Sequence, residues 1–478
     1  MKKIWSKFLA WIRNYAGATF STTRSQVRGA VQDARRDLPP ATRRELIRRS
    51  RAFERDNALV NRLADLFEEF TVGPTGLQLI SASADEAWKA RATASFETWS
   101  QEPDLISSHD LATLEKVCAR TWFIDGEIFI VKTRTDDPRR NRARVQLLES
   151  HRIETPTAMR TEEGKSVTDG VAISPVGRPI GYYVRDGDGA EASYRRIDAA
   201  NVIHIFRPGR TGQYRGLPFL SPVLNDLTDL DDLQNLEMQC AKEAARIANV
   251  IKNKAGELNP AMLRRARMST GTIDSLGNAS TTNTIDHYKE VLGANTIAIG
   301  NNEEIQQFRS DRPSVASQDY WDFLMTKICA GSGISKLLAL PSSKQGTVVR
   351  LESELANCFF RAHSAILATA FVQVWQYAIG NDFTLGSLPS DWRKVTARPP
   401  RSPNIDVGRN SSAMLAELKA GATNYELIYA PLGLDPFVEL RKGAVFAKYI
   451  RDLATEFDLP PGAIAGHLSG EKEMTTAV

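Results

Sequence analysis

The sequence predicts an α+β protein: a mixed helix-and-strand N-terminal region, long helices around a small β-containing excursion, and a helical C-terminal region. Three observations carry this expectation. Helical periodicity as far as Phe123 is followed by short strand-like runs up to Phe206, with no internal repeat. Two helical stretches, 222–254 and 347–379, have no interior proline or glycine and exceed the usual globular helix length. Between them, residues 268–302 are rich in Ser, Thr, Asn and Gly, the texture of turns and short strands.

At the N-terminus, Trp5, Phe8, Leu9 and Ile12 share one side of a short amphipathic helix. It imitates a signal peptide, but Lys7 and Arg13 interrupt it and no small-residue cleavage site follows. It reads as a docking element for a neighbour or a membrane surface, or as a poorly ordered terminus. Between Arg24 and Arg55, ten arginines stand against Asp33, Asp37, Glu45 and Glu54, an excess of six. Such a run faces phosphate or an acidic partner, or forms a solvated helix face. Helices are expected over 41–70, 84–99 and 111–123. Strands are expected over 127–132, 145–148, 170–173, 179–184 and 202–206, in mixed or antiparallel sheet.

Ser221 and Pro222 open the first long helix, because a serine oxygen caps free N–H groups and proline costs nothing at the first helical position. Extended to Lys254, it would measure about 50 Å at about 1.5 Å per residue. Leu224, Leu227, Leu230, Leu233 and Leu236 recur every third residue, so the apolar stripe slips by about 60° per step. One flat partner cannot cover a stripe that winds in this way. Ala241, Ala244, Ala245 and Ala248 then let a neighbouring backbone come close. Asp226, Asp229, Asp231, Asp232 and Glu237 occupy the first half and Lys242, Arg246, Lys252 and Lys254 the end, which matches the helix dipole. The expectation is a rod packed on two sides, as in a ring of subunits; the alternative is a buried helix in a single-chain domain.

The excursion follows, with strands expected at 296–299 and 304–308. Pro313 opens a helix containing Tyr320, Trp321, Phe323, Leu324 and Ile328, which ends at Gly331-Ser-Gly333. A loop over 334–346 carries Lys336 and Lys344, with Arg350 behind it. The second long helix offers Leu351, Leu355, Phe359, Ile366, Phe371 and Trp375 as core positions. The tail alternates a basic, proline-rich strand at 392–403 with helices at 410–420, 425–429 and 436–457, the last capped by Asp435.

Composition limits the chemistry. The chain has 478 residues, 42% of them hydrophobic, and a net charge of +4, so it is no polycation that wraps nucleic acid. No uninterrupted apolar run reaches the roughly 20 residues of a membrane span. Cys118, Cys240, Cys329 and Cys358 lie far apart without CxxC spacing and read as reduced, buried thiols of a cytoplasmic protein. His109, His151, His204, His287, His363 and His467 are scattered, and His204, inside a strand, reads as a core residue. Gly331-Ser-Gly-Ile-Ser-Lys336 lacks the spacing of a phosphate loop and follows a helix rather than a strand. Asp229, Asp231 and Asp232 point to different sides of their helix, which does not suit a two-metal site. No catalytic constellation, cofactor or metal is expected.

Taken in order, these segments resemble the portal proteins of tailed bacteriophages, the lambda-like branch. The resemblance rests on Gly126-Glu127 before a strand, Gly170-Val171 with Gly177-Arg178-Pro179 and Tyr182, and Arg196-Ile197-Asp198-Ala199 leading to Val202–Phe206. Its sharpest piece is Arg207–Gly216 with Leu217-Pro218, where Arg210-Thr211-Gly212 lengthens a turn of the Arg-Pro-Gly-Gln-x-Arg-Gly type. Glu303-Glu304, Pro313, Gly331–Gly333 and the helix from Thr347 keep the family's order.

The resemblance implies a ring of about twelve identical subunits at one vertex of a prohead, through which double-stranded DNA is packaged and ejected. It implies docking of terminase and later of head-tail connector proteins, capsid and scaffold proteins as neighbours, and a place in the virion after assembly in the host cytoplasm. By segment, it implies an N-terminal arm (1–40), a wing (41–218), a first stem helix (219–254), a clip (255–312) and a second stem helix (313–330). A channel loop (331–346), a long wing or tunnel helix (347–380), a wing return (381–434) and a crown with its tail (435–478) follow. Lys336, Lys344 and Arg350 then meet passing DNA, Arg264, Arg265 and Arg267 in the clip meet a docking partner, and the leucines and alanines of the first long helix form the subunit interface. Moving DNA favours few basic contacts and repulsion within a Debye length of roughly 8 Å. The alternatives are a ring-forming nucleic-acid-dependent NTPase and a basic nucleic-acid-binding regulator built on the Arg24–Arg55 segment.

Overall fold

The computed structural model describes residues 31–106, 108–137, 141–162, 166–187, 192–252, 272–273, 279–280, 295–299, 315–340, 347–382, 388–398, 400, 407–429 and 436–459. The amphipathic segment around Trp5, the cluster Arg264, Arg265 and Arg267, the strand expected at 304–308, Lys344 and Asp435 lie outside them.

After one turn, α1 (Ala34–Asp37), the chain enters α2 (Pro40–Asp56) with proline at its first position. The helix expected over 41–70 is two helices. Asn57 Oδ1 accepts from the N–H groups of Leu59 at 3.0 Å and Val60 at 3.2 Å, which ends one and opens α3 (Ala58–Val72). Asp85 and Asp110 cap α4 (Glu86–Trp99) and α5 (Leu111–Asp125) in the same way. Gly126 ends α5 in the left-handed region at φ 85°. A Cβ there would lie 2.0 Å from the carbonyl carbon of Leu217, so glycine is what lets the 216–218 segment cross.

That crossing admits a three-stranded antiparallel sheet in the order β3 (Ala143–Glu149), β2 (Glu127–Arg134), β8 (Val202–Phe206). Ile130 stands opposite Leu147 on one side and Ile203 on the other. Side chains alternate along a strand, so β2 serves two cores. Ile128 and Ile130 enter a large one with Phe67, Trp122, Phe123 and Trp375, whereas Phe129 and Val131 enter a smaller one with Val171, Tyr182 and Val184. A second antiparallel sheet closes the smaller core: β4 (Val167–Thr168), β5 (Val171–Ile173), β6 (Pro179–Asp186) and β7 (Ser193–Asp198). β1 (Gln78–Ser81) pairs with β13 (Val395–Arg398) and ties the chain's last third to its first. β1 and β7 carry too little apolar alternation to stand out in the sequence; β7 reads Ser-Tyr-Arg-Arg-Ile-Asp and is mostly exposed.

The first long helix is shorter than its uninterrupted sequence suggests. Ser221–Val223 form a single 3-10 turn, α6 runs over Leu224–Arg246, and Ile247–Lys252 is strand β9. Pairing of β9 with β12 (Asn295–Ile299) in parallel decides this, helped by Ile247, Val250 and Ile251. Ala248 and Lys252 are therefore strand residues. Thr272–Ile273 (β10) and Ala279–Ser280 (β11) pair antiparallel within the same excursion.

The second stem segment is α7 (Val315–Ser332). It returns antiparallel to α6: Gly331 lies against Val223, and Lys327 Nζ donates to Asp226 Oδ1 at 2.6 Å. Gly333, at φ 83°, ends the helix, and Ser335 caps a short helix α8 (Lys336–Ala339) where a loop was expected. α9 (Thr347–Asp382) spans 36 residues. By length and composition Val348–Asp382 suffices to cross a membrane, but Phe360, Leu367, Phe371, Val374 and Trp375 bury one of its faces in the large core. α10 (Val407–Lys419), α11 (Tyr425–Tyr429) and α12 (Pro436–Glu456) follow.

Candidate functional site

Glu127 heads β2 and is fully buried, which an acid tolerates only when charge and hydrogen bonds surround it. Its Oε1 accepts from Arg215 Nη2 at 2.6 Å, from Arg43 Nη1 at 3.3 Å and from Ser150 Oγ. Its Oε2 accepts from the Gly216 N–H at 2.7 Å and meets His204 Nε2 at 3.0 Å. Asp169 balances the second guanidinium, accepting from Arg43 Nε at 2.5 Å. Arg215 also donates to the carbonyls of Ser150 at 2.9 Å, Ile153 at 3.0 Å and Asp169. Burial alone would push Glu127 up, but Arg215, His204 and Arg43 outweigh it and hold the carboxyl well below its usual range. Burial keeps the His204 pKa below its ordinary value despite Glu127. A neutral imidazole donating Nε2–H to Glu127 fits this, with its ring stacked 4.1 Å from Phe129 and 4.3 Å from Phe206. His204 is thus a satisfied core residue, as its strand position suggests.

This hub fixes the lengthened turn. Arg215 and Gly216 are part of it, and Gln213 Oε1 accepts from the N–H groups of Gly209 at 2.9 Å and Arg210 at 3.3 Å. Tyr214 donates its hydroxyl to the Gly177 carbonyl at 2.8 Å. Arg210, in the lengthening segment, reaches the Asp37 carboxylate and, at 2.9 Å, the Gln32 carbonyl, so the turn grips the chain where it enters α1.

Among the described arginines of the run, Arg43, Arg44, Arg49 and Arg51 reach partners elsewhere in the chain, whereas Arg36, Arg48 and Arg55 are exposed. Arg43 is 1% exposed and lies in the hub. Arg49 reaches the Leu224 carbonyl at 3.0 Å and Thr228 Oγ1 at 3.1 Å, tying α2 to α6. Arg51 pairs with Asp125 at 2.5 Å and Glu149 at 2.9 Å, and Arg44 with Glu154 at 3.0 Å. Arg48 alone of this group bonds only along its own helix, to Glu45. These partners lie far off in sequence, where no local pattern reveals them.

The stem residues divide. Leu224, Leu227 and Leu230 are buried in their own chain's core with Leu324 and Ile328, which corrects the expectation that neighbouring copies cover them. Leu233 is partly buried, Leu236 is 57% exposed and Ala241 is exposed. Ala244 and Ala245 lie on the last turns of α6. Among the described residues the leucine stripe of α6 is thus covered as far as Leu233 and exposed at Leu236, although Glu237 beside it is buried. Lys336 is helical rather than in a loop, and its ammonium bonds the Asp322 carboxylate of α7 and, at 3.4 Å, Thr326 Oγ1. Arg350 is exposed in the first turns of α9. Leu351 and Leu355, expected in the core, are each 62% exposed, while Phe371 and Trp375 are buried as expected. Cys118 and Cys329 are buried, but Cys240 is half-buried and Cys358 exposed, against the expectation that all four are hidden.

Among the described residues, no cluster of three or more His, Cys, Asp or Glu side chains is arranged to hold a metal ion. A cavity of about 500 Å³ between α4 and the end of α9 is lined by Ser95, Thr98, Trp99, Asn141, Arg144 and Asp382, with the Ser95 hydroxyl donating to the Asp382 carboxylate.

Comparison with known proteins gives a family. Residues 20–340 match the family model for the phage portal protein, lambda family. A probable portal protein of Halomonas phage phiHAP-1 is 25% identical over 230 residues, 45% of this chain and 44% of that protein. Portal protein B of Escherichia phage lambda is 30% identical over 141 residues, 27% of this chain and 26% of that protein. The chain thus spans less than half the length of these relatives. Among solved structures, a chain from the neck of an empty gene transfer agent particle aligns with a TM-score of 0.49 at 13% identity, covering 81% of this chain and 94% of that one. A chain from the native particle's neck, computed with C12 symmetry, aligns with a TM-score of 0.43 at 14% identity, covering 84% and 95%.

Proposed function

Because the chain belongs to the lambda family of phage portal proteins, we propose that about twelve copies close into a ring at one vertex of the prohead, through which double-stranded DNA is packaged and later ejected. The protein is a structural part of the virion and not an enzyme. Terminase docks on the ring during packaging, head-tail connector proteins replace it, and capsid and scaffold proteins surround it. Family membership over two thirds of the chain carries this reading. Its physical support is the α6–α7 hairpin, whose inner half is buried by its own chain while Leu236, Met238, Tyr320 and Phe323 remain exposed toward its far end.

The regions take the roles of wing (41–218), stem (219–254 and 313–330), clip (255–312), channel loop (331–346) and crown (435–478). Lys336, Lys344 and Arg350 are the groups that touch passing DNA. Lys336 does so from an ion pair with Asp322, which tempers its pull on phosphate. Arg264, Arg265 and Arg267 meet the docking partner in the clip. Arg43, Arg44, Arg49 and Arg51, engaged with carboxylates and a carbonyl of the same chain, speak against the regulator alternative; an NTPase would need a phosphate loop that the sequence lacks.

The test is assembly. Negative-stain images and light scattering of the purified chain are expected to show hollow rings. Monomers alone at micromolar concentration would overturn the proposal, and steady ATP hydrolysis by the isolated ring would favour the NTPase. Charge reversal at Arg264, Arg265 and Arg267 is expected to weaken terminase binding with rings intact; unchanged affinity removes the clip assignment.

A further inference from the structure

We infer that α9 carries a second, outward seam that is covered by the stem face of an adjacent copy. The inference rests on the ring reading. Val348, Leu351, Leu355, Cys358 and Ala362 are all exposed and stand three and four residues apart in alternation. Ser353, Ala356, Phe360, His363 and Leu367, on the opposite side, are buried. A helix with one apolar stripe needs one partner; this one has two stripes, and the described residues of its own chain cover only one of them. The three-four spacing suits a second helix crossing at a shallow angle, with side chains interlocked.

The occupant that fits is on the molecule itself. On α7, Tyr320 and Phe323 are 51% and 60% exposed, their rings stacked 6.3 Å apart. Both patches border α8: Lys336 bonds Asp322 beside Phe323, and Ser335 Oγ donates to Glu352 Oε2 at 2.8 Å beside Leu351. Within one copy neither patch covers the other, since both are exposed. Large apolar side chains make up both surfaces, Leu351 and Leu355 on one and Tyr320 and Phe323 on the other. A patch that fits a different patch on the next copy repeats head to tail, as a closed ring requires; a patch that fits only itself stops at a dimer.

The experiment uses the full chain with its four native cysteines replaced, Tyr320→Cys and Leu355→Cys introduced together, and a short bismaleimide added. A ladder of covalent multimers up to the full ring is expected from the pair, and none from Leu355→Cys alone. Covalent dimers from Leu355→Cys alone would show seam meeting seam and overturn the inference. Intact rings with no ladder would overturn it too and leave the ring reading standing, whereas monomeric wild-type protein would remove the ring reading itself. Should the substituted chain fail to fold, the native protein supplies the readout. Alkylation of Cys358 is expected to be at least about tenfold slower in rings than in protein dissociated by dilution, and equal rates would refute the seam.

Discussion

Replacing Arg215 with lysine keeps a positive charge beside Glu127 and removes the planar fork that the hub is built around. In the native protein this guanidinium serves both carboxylate oxygens of Glu127 and the carbonyls of Ser150, Ile153 and Asp169. An ammonium group has three protons, so at least two of these five bonds are lost in a buried site. At about 1.5–3 kcal/mol for each charged hydrogen bond, the loss is about 3–6 kcal/mol, the scale of breaking a buried ion pair. Thermal unfolding of the assembled particle is the assay, at one fixed protein concentration because association raises apparent stability. The melting temperature of Arg215→Lys is expected to fall by roughly 3–6 °C, at about 1 °C per kcal/mol for a chain of this size. The pH dependence adds a second readout. The Glu127 carboxyl is held well below its ordinary 4.5, so its contribution is present above that value and is lost as the pH falls toward the folded value. Weakening the fork moves this acid loss to higher pH. A variant that melts with wild type and has the same acid limb would refute the view that the fork joins the two sheets to α2.

Further outcomes follow from the same geometry. Glu115 is buried with Oε2 on the Leu77 N–H and Oε1 without a hydrogen-bond partner, and burial raises its pKa to about 8. The folded state therefore holds a proton that the unfolded chain loses from about pH 4.5, and stability declines from there to about pH 8, by roughly 3 kcal/mol at neutral pH. Glu115→Gln is expected to flatten that decline in pH-dependent denaturation; an unchanged slope removes the assignment. Leu227→Ala should cost about 2–5 kcal/mol in denaturant unfolding, while Leu236→Ala should leave folding within about 0.5 kcal/mol and weaken assembly. Equal folding costs at the two positions would contradict the division of α6. Lys336→Ala with Lys344→Ala should leave rings intact in electron micrographs and alter DNA retention; loss of rings would make these residues structural.

Part of the molecule was legible locally. The strands at 127–134, 143–149 and 202–206 announce themselves through apolar runs between Gly and Asp turns, and α4, α5, α7 and α9 through caps and periodicity. The Arg207–Gly216 turn stood out as a family feature, and Gly126-Glu127 with it. Their joint role in one hub did not, because Glu127 and Arg215 lie on segments that meet only after folding. An acid directly ahead of Ile128-Phe129-Ile130-Val131 was the available signal, since such a position is buried and requires a cation. The break at Asn57 and the end of α6 at Arg246 are hidden from the sequence for a related reason. A capping side chain and a parallel strand partner overrode continuous helical composition.

By itself, the sequence determined the α+β class, the two long helices, the family likeness and the absence of a phosphate loop, all of which depend on spacing along the chain. Tertiary structure decided which face of each helix is covered and which arginine meets which carboxylate. Leu227 and Leu236 carry the same stripe, as do Leu351 and Leu355, yet Leu227 is buried and the others are exposed. Periodicity fixes that a helix has an apolar side, but burial depends on what packs there, and for part of these stripes nothing among the described residues does.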